Sequence, residues 1–132
     1  MCKFSQEIID KVWERCPEVD GYDPNMYKKD ACGAWMKRDK YGDRENSLGW
    51  EIDHIYPESR LLELGIEKRD IDNLDNLRPL NWKNNVSKGD DYPAYTSICK
   101  AKDDSNIEES RQMLVNKETQ ERLSECFKGY NL

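Results

Sequence analysis

Apolar positions recur at helical spacing from Ile8 through Ile9, Val12 and Trp13 to Cys16, with Ser5 placed to cap the first turn and Pro17 to end the last. Asp20-Gly21 and Asp23-Pro24-Asn25 mark turns, the second also able to open a short helix through Tyr27. The run Ala31-Cys32-Gly33-Ala34-Trp35-Met36 reads as a buried segment, with strand preferred, and Tyr41-Gly42-Asp43 closes it. A strand is expected from Gly49 through Ile55, stopped by Pro57. Ser59 to about Ile66 carries Leu61, Leu62, Leu64 and Ile66 in a helix-like amphipathic pattern, expected to extend the core. Asn76 to Leu80 reads as a second strand and Asn81 to Lys88 as a helix closed by Gly89. Tyr95 to Ala101 and Arg111 to Val115 suit a hairpin around Asp103-Asp104-Ser105-Asn106. Asn116 opens a terminal helix with Leu123 and Phe127 on one face. No repeat or linker divides the 132 residues, so one α+β domain spanning 1–132 is expected.

Mean hydropathy is −1.04 with 36% charged residues, and no apolar run approaches the roughly 18 residues needed to span a bilayer, so no membrane span is expected. The N-terminal residues lack an apolar signal region, so a cytoplasmic location is the expectation. Cys2, Cys16, Cys32, Cys99 and Cys126 have no Cys-x-x-Cys spacing and read as reduced thiols serving as small hydrophobes. A net charge of −6 argues against avid coating of nucleic acid, since that affinity comes from Lys and Arg neutralising phosphates.

Acid/base chemistry near neutral pH has one natural home here, because the chain holds a single histidine, His54. It stands in Trp50-Glu51-Ile52-Asp53-His54-Ile55-Tyr56-Pro57, upstream of Asn76-Leu77-Arg78-Pro79-Leu80 and Asn84-Asn85-Val86-Ser87-Lys88. Asp53 offers a hard oxygen ligand beside it and Asn85 a second oxygen from the expected helix. Alternation sends Asp53 and His54 to opposite faces of an ideal strand, so both flank one phosphate only if the strand distorts or the substrate runs along its edge.

The order Asp-His-Ile-x-Pro, Asn-Leu-Arg-Pro-Leu, Asn-Asn-x-x-Lys resembles the HNH endonucleases over Trp50 to about Lys88. The resemblance implies a strand-strand-helix metal motif over about 49–89, with flanking helices and a C-terminal hairpin outside it. It implies His54 as general base, Asn76 as the residue that fixes the loop holding it, and Asp53 and Asn85 as ligands of one divalent cation. Mg²⁺ or Mn²⁺ is the expected ion, with Zn²⁺ or Ni²⁺ as alternatives, at hard-ion distances of about 2.0–2.6 Å. Many family members also bind a structural zinc through paired cysteines; here the second pair's positions are Asn81 and Asn84, so no structural zinc is expected. A short Gly-rich loop of simpler members is replaced by the leucine-bearing insert.

Arg38, Arg78, Lys83 and Lys88 are the candidate phosphate contacts, with DNA favoured over RNA as the partner. Burial of Trp50, Trp82 and Tyr56 in a small core is expected over base stacking. Glu51 and Asp90 read as exposed charges. The expected activity is metal-dependent phosphodiester hydrolysis, with no membrane partner. The competing reading is a module of the same shape that binds nucleic acid or protein without turnover, and a third is a toxin-like nuclease held by an immunity partner. Nothing in the chain indicates oligomeric state or base specificity.

Overall fold

In the computed structural model, which describes residues 4–130 and residue 132, the first apolar stripe becomes α1 (Gln6–Arg15). Ser5 accepts the Ile8 amide at 3.2 Å, as its position before the stripe predicts. Helix ends leave carbonyls without partners. Here the buried Lys28 ammonium donates to Trp13 and Cys16 carbonyls at 2.9 and 2.7 Å, tying α1 to β1 (Tyr27–Lys29).

The helix expected to open at Pro24 does not extend. Met26 and Tyr27 amides both return to the Asp23 carbonyl, one turn forms, and the chain then enters β1, which pairs antiparallel with β2 (Trp35–Lys37). Only the last part of the Ala31–Met36 run is strand. Asp30 draws the Cys32 and Ala34 amides onto one carboxylate oxygen at 2.9 and 2.8 Å, which bends the intervening residues into a turn.

β3 (Trp50–His54) pairs antiparallel with β4 (Leu77–Asn81), Trp50 opposite Asn81 and His54 opposite Leu77. A Cβ on Gly49 would meet the Asp43 carbonyl oxygen at 1.8 Å, so only glycine lets the preceding loop lie against the start of β3. α4 (Trp82–Lys88) follows β4 directly, capped by the Asn81 carboxamide and ended by Gly89 at φ 51°. The segment inserted between the strands is longer than the expected Ser59 to about Ile66: it runs from Glu58 to Asp72 as α2 (Glu58–Glu63) and α3 (Lys68–Ile71), and a 3₁₀ turn over Leu74–Asn76 then delays the start of β4 by one residue from the expected Asn76.

β5 (Ala94–Lys102) and β6 (Ser105–Leu114) form the expected hairpin, although β6 starts well before Arg111. Its first half alternates no apolar residues, so cross-strand backbone pairing alone makes it a strand. α5 (Lys117–Cys126) is capped by Asn116. The result is an α+β domain whose strands form three separate two-stranded antiparallel sheets.

Alternation along β3 buries Trp50 and Ile52 with Val12, Trp13, Met36 and Leu77. Leu80 belongs to the second apolar cluster, with Ile55, Leu61, Ile71, Tyr95, Leu123 and Phe127. The insert therefore serves the core through Leu61, Ile66 and Ile71, each such side chain contributing about 1.5–3 kcal/mol when fully buried, while Leu62 and Leu64 remain exposed. Among the described residues no helix is long and apolar enough to cross a membrane.

Candidate functional site

His54 ends β3, half-buried, where the chain leaves the sheet for α2. Its Nε2 lies 2.7 Å from Asp72 Oδ1 and 3.9 Å from Glu58 Oε2. The imidazole is thus oriented by a carboxylate from the segment between β3 and β4. Phe4 places its ring 5.8 Å from the imidazole, centroid to centroid. Lys68 completes the group, its ammonium 2.6 Å from Glu58 Oε2 and 2.9 Å from each Asp72 oxygen.

Asn76 is fully buried and locks this corner. Its carbonyl oxygen accepts the Tyr56 amide at 2.8 Å, and its amide donates to the carbonyls of Tyr56 and Ile71 at 3.2 and 3.1 Å. One side chain thus ties the residues just after His54 to the residue just before Asp72. The backbone carbonyl of Asn76 also accepts the Ile55 amide at 2.9 Å.

Asp53 points to the other face of β3, where it is 4% exposed. Lys88 Nζ lies 3.2 Å from Oδ1, and Arg78 Nε lies 2.9 Å from Oδ2. Lys88 also donates to the His54 carbonyl at 3.2 Å. Asn85, one turn earlier on α4, instead donates at 2.9 Å to Glu51 Oε1. The physical reason is that residues three apart on a helix share one face, as do residues two apart on a strand, so α4 packed on β3 sets Asn85 on Glu51 and Lys88 on Asp53. Both carboxylate oxygens of Asp53 face cationic side chains in this arrangement, and the Asn85 carboxamide N–H is given to Glu51.

Glu51 is a half-buried member of this face, a correction to its reading as an exposed charge. Arg44 grips it with two bonds of 2.7 and 2.9 Å. Burial pushes the Glu51 carboxyl up, but the bonds from Arg44 and Asn85 outweigh it and hold the group below its usual range. Burial also lowers the pKa of Lys88, opposed by the pull of Asp53.

The four candidate phosphate contacts scatter. Lys88 has no exposed side-chain surface, so its ammonium cannot meet a phosphate as the structure stands. Arg78 is largely enclosed between Asp53 and the Tyr95 ring. Lys83 leans towards Glu108 at 3.3 Å. Arg38 faces Asp10 and Glu14 at 3.4 and 3.6 Å, on a surface also lined by Gln6 and Tyr41. Trp50 is buried in the core and Tyr56 packs on Tyr92 beside it, whereas Trp82 is half-buried outside both apolar clusters, its indole N–H donated to the Asn46 carbonyl and Lys83 over its ring.

Burial raises Cys16, Cys32 and Cys99 to about 11, which leaves almost no thiolate at neutral pH and removes them as nucleophiles. Cys2 lies outside the described residues. Sequence reasoning missed Glu58, Lys68 and Asp72. They lie in the insert where no motif extends, and the one available signal was the concentration of charge between Glu58 and Asp75. No family model, curated protein or solved structure matches the chain, so its chemistry is argued from its own residues.

Proposed function

We propose that the chain is an endonuclease of the HNH type that hydrolyses phosphodiester bonds in DNA, with His54 as general base. One observation carries the reading: the 2.7 Å contact between His54 Nε2 and Asp72 Oδ1. A carboxylate that accepts Nε2–H fixes the tautomer and leaves the Nδ1 lone pair to take a proton from water. The bonds of Asn76 to Tyr56 and Ile71 support it by holding the imidazole and its carboxylate partner in register. The order β3, β4, α4 and the motif residues along it are the further support.

Dependence on Mg²⁺ or Mn²⁺ belongs to the proposal through the resemblance alone. Asp53 is held by Lys88 and Arg78 in this structure, so no step is assigned to an ion there. A second reading, a binding module without turnover, is favoured by the use of Asp53 as the partner of two enclosed cations.

Nicking of supercoiled plasmid in Mg²⁺ or Mn²⁺, with and without EDTA, separates the two. His54→Ala should slow cleavage by roughly 10²–10⁴-fold, the usual contribution of positioned proton transfer. Asp72→Asn should slow it too, by less. Parent protein that leaves plasmid intact in both ions, or His54→Ala that nicks at the parent rate, refutes the nuclease reading.

A further inference from the structure

The face of β3 opposite Asp53 holds a second group of ligand atoms. His54 Nε2, a Glu58 oxygen and an Asp72 oxygen all lie within 4.8 Å of one another, each residue half-buried. They come from three elements: the end of β3, the first turn of α2 and the residue that closes α3. Two of the three belong to the insert.

We infer that His54, Glu58 and Asp72 bind one borderline first-row divalent cation of the Zn²⁺ class, and that its binding withdraws His54 from base catalysis. Four arguments from geometry and chemistry support this. Ligands about 2.0–2.1 Å from a tetrahedral ion stand roughly 3.3 Å apart; the observed separations of 2.7 and 3.9 Å from Nε2 bracket that value and all three ligand atoms lie within 4.8 Å of one another, so side-chain rotation closes the site without backbone movement. One imidazole and two carboxylates leave a position for water and suit Zn²⁺ or a close neighbour better than a purely hard ion. The group already seats a positive charge, because the Lys68 ammonium contacts three of its carboxylate oxygens at 2.6–2.9 Å. Lys68 sits on the exposed side of the group, its side chain 48% exposed, and can swing into solvent when a cation of higher charge arrives.

The consequence for His54 follows from its two nitrogens. A metal on Nε2 takes that lone pair and obliges the neutral ring to carry its proton on Nδ1. The nitrogen left free for water by the Asp72 contact is then protonated and no longer a base. This second half rests on the nuclease reading above; the binding half does not.

Competition for Zn²⁺ against a chromophoric chelator reads binding directly. One ion per chain is expected for the parent, with Glu58→Gln, Asp72→Asn and His54→Ala each losing affinity by tenfold or more. Lys68→Ala should instead bind severalfold tighter, because the resident ammonium no longer competes, and this gain cannot come from a damaged fold. Circular dichroism of each variant confirms that the helices persist. Equal affinity in parent, Glu58→Gln and Asp72→Asn overturns the site, as does weaker binding in a folded Lys68→Ala. For the second half, Zn²⁺ added to a Mg²⁺ nicking reaction should suppress cleavage, and suppression should weaken in Glu58→Gln. Bound Zn²⁺ with undiminished nicking overturns that half. A protein that binds Zn²⁺ through these residues but never nicks plasmid defeats the nuclease reading while leaving the site standing.

Discussion

Replacing Asp53 with alanine tests what the central carboxylate of the strand does. It is buried, and its two oxygens hold Lys88 and Arg78, the first with no side-chain exposure and the second with 15%. Removing it leaves two enclosed positive charges facing each other with no anion between them. Breaking a buried pair from one side costs about 3–5 kcal/mol, far above the 0–1 kcal/mol of a surface pair. For a domain of this length each kcal/mol moves the melting temperature by about 3–5 °C, so Asp53→Ala should melt roughly 10–20 °C below the parent. Chemical denaturation followed by circular dichroism measures the same loss independently of scan rate. The double variant Asp53→Ala with Lys88→Met removes one stranded charge and should recover a substantial share of the loss. A single variant that loses less than about 1 kcal/mol, or a double variant no more stable than the single one, refutes the assignment of Asp53 as a buried counter-ion. The distinction matters for any nicking assay: lost activity in Asp53→Ala reports first on folding.

Three further outcomes are expected. Asn76→Ala strands the Tyr56 amide and the Ile71 carbonyl in the interior and should cost about 2–4 kcal/mol in urea denaturation, with stability near the parent's contradicting the lock. Glu51 has a folded pKa below its ordinary 4.5, so its contribution is complete above that value and lost as pH falls through the lower folded value. Glu51→Gln should therefore flatten the acid limb of stability below about pH 4.5, by under about 1 kcal/mol because Arg44 is solvent-exposed, and an unchanged slope would count against the pair. Because His54 is the single histidine, acylation by diethylpyrocarbonate reports on one ring; Phe4→Ala should speed that reaction, and an unchanged rate would show that Phe4 does not shield the imidazole.

Element positions were legible wherever a cap residue and an apolar period agreed. Ser5, Asn81 and Asn116 each begin the helix expected of them, and β3, β4 and α4 lie close to their expected bounds. Harder to read were segments shaped by a single side chain acting at a distance. Asp30 bends the Ala31–Met36 run by binding two amides, a contact no local pattern encodes. β1 has a mixed burial pattern too short to show a period, and the first half of β6 lacks one altogether. At the candidate site, sequence located His54 and Asn76 but not their surroundings. The motif fixes the residues on β3 and α4, whereas the carboxylates around the imidazole come from the insert, and which α4 residue meets which β3 residue depends on where the helix crosses.

Asn81 and Asn84 occupy the positions where zinc-bearing members of the resembled family carry cysteine. Here they converge on an anion rather than a cation: Asp30 Oδ2 accepts the Asn81 backbone amide at 2.9 Å and the Asn84 side-chain amide at 3.1 Å, while its other oxygen holds the Cys32 and Ala34 amides. Asn84 goes on to cap the β5 backbone at Ile98 and Cys99, so the joint links all three sheets. Its chemistry is that of a metal knuckle turned inside out, four N–H donors closing around a carboxylate. Two-stranded ribbons are marginal alone, and this joint ties them to one another through buried hydrogen bonds. Such a joint has no thiolate to oxidise and no ion to surrender, so its integrity is indifferent to chelators and redox poise and travels wherever the chain does.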